Sequence, residues 1–287
     1  MLRFGIIRNF TIPWDQIVAQ WLRFEAAGFD SIWGTDHFQR PTDPTEPLLE
    51  AWTALAALAA LTDRIRIGIL VTSNTFRAPA LLAKEAVTVD HISHGRLDLG
   101  LGAGGFETEH RVWGIPYPEP RERVDRLVEA IQLIDLLLSN DEATFSGRYY
   151  QVLDAPFRPG PVQKPRPPFT LGAHGPRMLR VVARYADRWN SYGTVAELRA
   201  RNALIDRHCE AIGRNPEEII RSFYVRTQSV GLETWATIAG FHDVVTRYRA
   251  AGINEFIFEP PQDDQWKMMD RIVAEEIPEL RAVAASR

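Results

Sequence analysis

The chain has 287 residues, 45% of them hydrophobic, which is enough to bury one large core. Its formal net charge is −4 and its 33 basic residues are scattered along the chain, which argues against a nucleic-acid partner. Cys209 is the only cysteine, so an intramolecular disulfide framework and a thiolate metal cluster are excluded, and a reducing cytoplasm fits. The opening MLRFGIIRNF has too short an apolar run for a signal peptide. No segment approaches the ~20 apolar residues that span a bilayer, so no membrane partner is expected.

In chain order, short apolar runs alternate with amphipathic helical segments, the rhythm of a parallel sheet covered by helices. RFGII (3–7) reads as the first strand, and Pro13 opens a helix to about residue 27, stopped by Gly28. FDSIW (29–33) is the second strand and PLLEAWTALAALAAL (47–61) a helix apolar on nearly all sides. RIRIGILV (64–71) is the third strand, a helix follows from Pro79 to about Ser93, and RLDLGLGAG (96–104) is a strand running into a glycine turn. A loop to Pro120 precedes a helix with Val124, Leu127, Val128 and Ile131 at helical spacing. EATFSGRYYQV (142–152) reads as a hairpin, and the proline-rich stretch after it as an excursion, because proline cannot pair in a central strand. The alternation resumes with FTLGA (169–173), a helix over 176–186, RWNSY (188–192), a helix over 196–212, SFYVRTQSV (222–230), a helix to Ala250, NEFIFEP (254–260) and a last helix. About eight βα units in a single domain, 1–287, fit a closed (β/α)8 TIM barrel better than a doubly wound open sheet.

Barrel chemistry gathers at the C-terminal ends of strands. Those ends read GTDHF (34–38), VTSNTFR (71–77), GAGGFETEH (102–110), GAHGPR (172–177) and NSY (190–192). Burying Asp36 unpaired inside a strand costs several kcal/mol. The Asp36-His37 pair therefore belongs at a strand end, and two readings fit it: a turn-capping Asp with a solvated His, or a functional pair. LGAHGPR (171–177) reads either as an ordinary βα connection or as a phosphate turn at a helix N-terminus. In GAGGFETEH, Glu107, Glu109 and His110 offer carboxylates for acid/base work, although Glu109 and His110 read first as solvated loop. His37, Glu107 and His110 lack the spacing of a metal-ligand motif, so no metal is expected. His91 and His94 read as structural groups at a helix end, and Trp52 as core.

Taken together, GFDSIWGTDHF, EAWTALAALAALTDRIRIG, VTSNTFRAPALLAKEAVTVDHISHGRLDLGLGAG, PRERVDRLVEAIQLI and ARYADRWN resemble, in order and over essentially the whole chain, the bacterial-luciferase-like monooxygenase superfamily. TDHF followed by NTFRAPALLAKEAVTVDHIS is most similar to its branch of oxidoreductases using the deazaflavin coenzyme F420. The resemblance implies a luciferase-like TIM barrel with insertions, a homodimer, and hydride transfer between bound F420 and a small organic substrate. It places His37 near the reactive carbon and Asp36 at the cofactor edge. It also implies a non-proline cis peptide at Leu70-Val71, leading into Thr72 and supporting one face of the ring. Gly102, Ala103 and Gly104 match backbone lining the ring. Gly172, Ala173, His174, Gly175 and Pro176 match the phosphate turn, and Asn190 a position close to the cofactor. Where some relatives carry a glutamate general acid this chain has Gly105, which leaves Glu107 as the candidate acid. His174 and Arg188 replace small residues and would add positive charge near the phosphate; Arg177 and Arg180 would meet the coenzyme's acidic tail. Two alternatives stay open: an FMN-dependent two-component monooxygenase, and a non-catalytic cofactor-binding barrel. The loops 38–47, 105–120 and 231–240 are expected to shape the substrate pocket.

Overall fold

The computed structural model describes residues 2–40, 42–231 and 233–285. Pro41 and Leu232, within two of the loops expected to shape the pocket, lie outside the described residues. Along the chain run β1 (Arg3–Ile7), α1 (Trp14–Ala26), β2 (Ser31–Gly34), α2 (Ala51–Leu61), β3 (Arg66–Ile69), β4 (Thr72–Ser73), α3 (Pro79–Ile92) and β5 (Leu97–Gly102). Then come α4 (Glu107–Val112), α5 (Pro120–Ser139), β6 (Glu142–Ser146), β7 (Gln151–Pro156), β8 (Phe169–Gly172), α6 (Pro176–Tyr185), β9 (Arg188–Ser191) and α7 (Val195–Glu210). The chain ends with β10 (Ile220–Val225), α8 (Thr227–Val230), α9 (Ile238–Arg249), β11 (Glu255–Phe258), α10 (Trp266–Arg271), a π-helical turn over 272–276, and α11 (Ile277–Ala285).

Among the described residues the parallel strands follow the order β3-β2-β1-β11-β10-β9-β8-β5-β4, and a pairing of β3 with β5 closes the ring. With β3 and β4 as two pieces of one stave, this is the closed eight-stranded barrel that the alternation predicts. The antiparallel β6–β7 hairpin stands outside it as the insertion.

By contact density the chain forms two compact units interleaved in sequence. One comprises Met1–Arg8, Arg23–Ile32 and Ala173–Arg287. In it β1 pairs with β11, β11 with β10 and β10 with β9, in registers Arg3↔Glu255, Ser222↔Glu255 and Ile220↔Arg188. Its core is aromatic: Phe4, Phe241, Phe256 and Phe258 are all at most 1% exposed, and each such ring contributes roughly 1.5–3 kcal/mol on burial. The other unit comprises Asn9–Leu22 and Trp33–Gly172. In it β5 pairs with β3, β4 and β8. Leu127, Ile131, Ile134 and Leu138 recur at helical spacing on α5 and are buried. Arg96, buried just before β5, donates to the carbonyls of Ala59 (2.8 Å), Thr62 (2.6 Å) and Ile65 (2.8 Å), so a cation satisfies the otherwise open C-terminal carbonyls of α2.

Two expected elements differ. SFYVRTQSV is not one strand: β10 stops at Val225, opposite Phe258, the last residue of β11, and Thr227–Val230 coil into a helical turn once no partner remains. The expected loop 105–120 contains α4, whose six mostly polar residues carry no apolar stripe that sequence periodicity would detect.

Candidate functional site

Within the second-described unit, β2 ends at Gly34 and delivers Asp36 and His37 just beyond it. Asp36 is 5% exposed, and its charge is matched: Oδ2 accepts from the Ser73 N–H (2.8 Å) and Arg77 Nη1 (2.7 Å), and Oδ1 accepts from Arg77 Nη2 (3.1 Å). The bidentate Arg77 pair removes the cost of an unpaired buried carboxylate, and the Ser73 bond pins the 35–37 turn to the end of β4. Arg77 also lies 3.3 Å from Glu50, the N-cap of α2, and 3.5 Å from Glu85. Burial pushes the Glu85 carboxyl up, while the hydrogen bonds from Thr53 and Trp52 and the charge of Arg77 hold Glu50 down against its own burial.

His37 donates from Nδ1 to Glu109 Oε2 at 2.9 Å. Glu109, 2% exposed, also accepts on Oε1 from the N–H groups of Phe38 (2.5 Å) and Gln39 (3.3 Å). Burial raises the Glu109 carboxyl, but the His37 hydrogen bond and charge and the two backbone donors outweigh it, so it stays below its usual range and ionised. An ionised carboxylate on Nδ1 fixes the proton there and leaves the lone pair of Nε2 for a reacting group. The expectation of a solvated Glu109 and His110 is therefore corrected. Both are buried on one side of α4, while Glu107 is exposed on the other. His110, 0% exposed, accepts on Nε2 from Thr75 Oγ1 (2.6 Å) and donates from Nδ1 to the Phe106 carbonyl (3.0 Å).

The Leu70-Val71 peptide is cis, as the resemblance implied. A Cβ built on Gly102 would meet Val71 Cγ2 at 2.5 Å, so Val71 lies flat against the end of β5 only because that residue is glycine; Gly172 faces the same side chain. Gly104 has φ +87°, and a Cβ there would stand 2.6 Å from Thr75 Oγ1. Ala103 lies between these two glycines, half-buried. Thr72, fully buried, accepts on Oγ1 from the indole of Trp52 (3.2 Å), which is core as expected.

In the other unit, the turn after β8 leads into α6, capped by Gly175 without a side-chain bond and with Pro176 in its first turn. No acidic residue occupies that turn, and a Cβ on Gly175 would meet nothing within 4 Å. Ala173 is committed to the backbone, its N–H donating to the Asn190 carbonyl (3.1 Å) and its carbonyl accepting from Trp189 Nε1 (2.9 Å). Asn190 donates from Nδ2 to Ser222 Oγ at 2.9 Å. Arg201 donates to Ser191 Oγ (3.1 Å), and the same hydroxyl is hydrogen-bonded to His174 Nδ1 (2.7 Å). The His174 ring packs against Tyr192, with centroids 4.2 Å apart. Loss of water around the ring, then the charges of Arg201 and Arg226, hold His174 down at about 4, although the residue as a whole keeps solvent contact. His174 is thus neutral, and its expected positive charge is corrected. Arg188 is corrected as well. It is the first residue of β9, at the strand end opposite the 172–176 turn, 2.9 Å from the equally buried Glu255.

The family model of luciferase-like monooxygenases matches residues 3–237. The chain belongs to that family. An F420-dependent glucose-6-phosphate dehydrogenase of Amycolatopsis mediterranei (strain U-32) is 30% identical over 318 aligned positions, covering 91% of this chain and 93% of its own. An F420-dependent hydroxymycolic acid dehydrogenase of Mycobacterium tuberculosis is 32% identical over 208 positions, 70% of this chain and 60% of its own. Among solved structures, an F420-dependent secondary alcohol dehydrogenase in complex with an F420-acetone adduct shares the fold, with a TM-score of 0.83 at 20% identity over 95% of this chain and 97% of its own. No helix among the described residues of this luciferase-like protein is long and apolar enough to cross a membrane. Glu109 is the candidate-site residue that the sequence reading names but sets aside as solvated loop. Its one available signal was helical phase, which separates Glu109 and His110 from Glu107 once a helix over 107–112 is known.

Proposed function

We propose that this protein is an oxidoreductase that moves a hydride between bound coenzyme F420 and a small organic alcohol or carbonyl compound. The observation that carries the reading is the His37–Glu109 pair, which presents a free Nε2 at the strand-end face of the barrel. Near-full-length likeness to dehydrogenases named as F420-dependent supports the choice of coenzyme. The residues present fit such a group. Val71 against Gly102, with Gly104 beyond it, offers a flat ring one apolar side chain and bare glycine backbone. By itself, the open N-terminus of α6 behind Gly175 offers backbone donors and a helix dipole to a phosphate. When bound, the deazaflavin supplies the site that accepts or returns the hydride.

In the oxidative direction the substrate gives up its carbinol hydrogen with the bonding electron pair, and His37 Nε2 takes the hydroxyl proton, so an alcohol becomes a carbonyl compound. Glu109 stabilises the resulting imidazolium and holds the ring in place. Asp36 acts through Arg77 and Ser73, keeping the His37 turn where it is. The same reading takes the chain as one catalytic domain forming a homodimer in a reducing cytoplasm, in keeping with its single, buried cysteine. Fluorescence titration of the purified protein with F420, and separately with FMN, tests the coenzyme. Tight binding of FMN alone overturns the reading in favour of an oxygen-dependent flavin enzyme.

A further inference from the structure

Phe106 combines two features that rarely coincide. Its backbone is left-handed (φ 58°, ψ 75°), a conformation that bulky residues seldom adopt, and its side chain is not stored in the core but 54% exposed. Three hydrogen bonds hold this geometry. The Phe106 carbonyl accepts from the N–H groups of Glu109 (3.1 Å) and His110 (3.4 Å) and from His110 Nδ1 (3.0 Å), and Thr75 fixes the far side of that buried imidazole. The result is an aromatic ring set edge-on to His37, with centroids 5.2 Å apart and planes at 71°.

The surroundings extend the same character. Phe38 packs on Phe76 (4.7 Å) and on Trp113 (5.4 Å), and Trp113 and Val112 are themselves 52% and 63% exposed. Acidic groups lie nearest: Glu107 adjoins Phe106 and Glu109 is held ionised, while Arg77 is bound to Asp36 and the exposed Arg111 stands five positions on along α4.

We propose that Phe106 is the substrate-selecting residue of this site, stacking the flat ring of an aromatic secondary alcohol or ketone beside His37 and disfavouring sugar phosphates. The inference rests on the hydride-transfer reading and names its substrate class. An exposed aromatic face beside the proton-transferring group attracts a planar apolar ring, because such a ring loses water and gains offset stacking at once. A phosphorylated sugar gains no such stacking and would bring a dianion towards Glu107 and Glu109.

The test uses F420-loaded protein with 1-phenylethanol and 2-butanol as alcohols, glucose 6-phosphate as competitor class, and calorimetric titration of acetophenone as the binding readout. The intact protein should prefer 1-phenylethanol over 2-butanol in kcat/KM and bind acetophenone. Phe106→Ala should cut that preference and weaken acetophenone binding by about tenfold each, the worth of one aromatic contact, and Phe106→Tyr should restore both. If Phe106→Ala melts early, Phe106→Leu, which keeps apolar bulk without a π face, should show the same loss of preference. An unchanged preference in the Ala or Leu variant, or faster turnover of glucose 6-phosphate than of 1-phenylethanol, overturns the inference. So does a dimer that dissociates on Phe106→Ala, which would assign the patch to a second copy of the chain. Failure of the intact protein to bind F420 would sink the hydride-transfer reading itself, whereas bound F420 with a flat alcohol preference sinks only the substrate class.

Discussion

His37 and His174 follow strands β2 and β8, one in each compact unit, and their environments are opposed. At His37 a buried carboxylate holds the Nδ1 proton, so Nε2 faces outward as a base and the imidazolium has a counter-charge ready. At His174 the partner of Nδ1 is a serine hydroxyl that also accepts from Arg201, and two guanidinium groups oppose protonation, so the ring stays neutral. The same side chain has a counter-charge ready for its protonated form in one setting and is held neutral in the other. The difference lies in the partner of one ring nitrogen. It also shows why a histidine in a glycine turn cannot be counted as a positive charge from sequence.

The comparison is broken most directly at His37. Replacing it with Asn should lower kcat by about 10²- to 10⁴-fold, the usual worth of a positioned acid/base group. F420 binding, read by fluorescence, should stay near that of the intact protein; unchanged turnover would remove His37 from the mechanism. Next in size is Arg77→Met, which leaves Asp36 buried without its counter-ion and should cost about 3–5 kcal/mol in urea unfolding. A loss below 1 kcal/mol would mean that Asp36 finds other partners.

Glu109→Gln should cost about 2 kcal/mol of stability through its charge-assisted hydrogen bonds and slow catalysis along with it. Its pH signature has a definite sign. The folded carboxyl is held below its ordinary value of 4.5, so its contribution is present above pH 4.5 and disappears as the pH falls through the lowered value. The variant should lack that acid-side loss. The smallest effect belongs to His174. With the folded value near 4 against an ordinary 6.5, the neutral form is favoured, so stability is complete above pH 6.5 and declines as the pH falls towards 4. His174→Gln should flatten this slope slightly, because solvent reaches the residue and screens the effect. Nitrogen NMR of the imidazole at pH 6 should find the ring neutral; an imidazolium signal would erase the contrast with His37.

The legibility of the site followed sequence distance. The Asp36-His37 pair, the Gly102–Gly104 turn and the 172–176 turn could be found because each is a contiguous string at a strand end. Glu109 could not, because its partner lies 72 positions away and Glu107, two residues earlier, offers the same chemistry to a linear reading. Arg77 was likewise invisible as the partner of Asp36, 41 positions off. Arg188 was a different error. As the first residue of its strand it had to sit at the far end from the C-terminal chemistry, and strand direction alone gave that signal.

By itself the sequence determined the alternation of strand and helix, the barrel this implies, the glycine turns and the family, since periodicity and turn chemistry are local properties of the chain. Only the tertiary structure decided which carboxylate holds His37, what neutralises Asp36, and that His174 carries no charge. Proton positions and pKa values depend on groups brought within about 3–6 Å by folding, and no local pattern encodes which groups those will be.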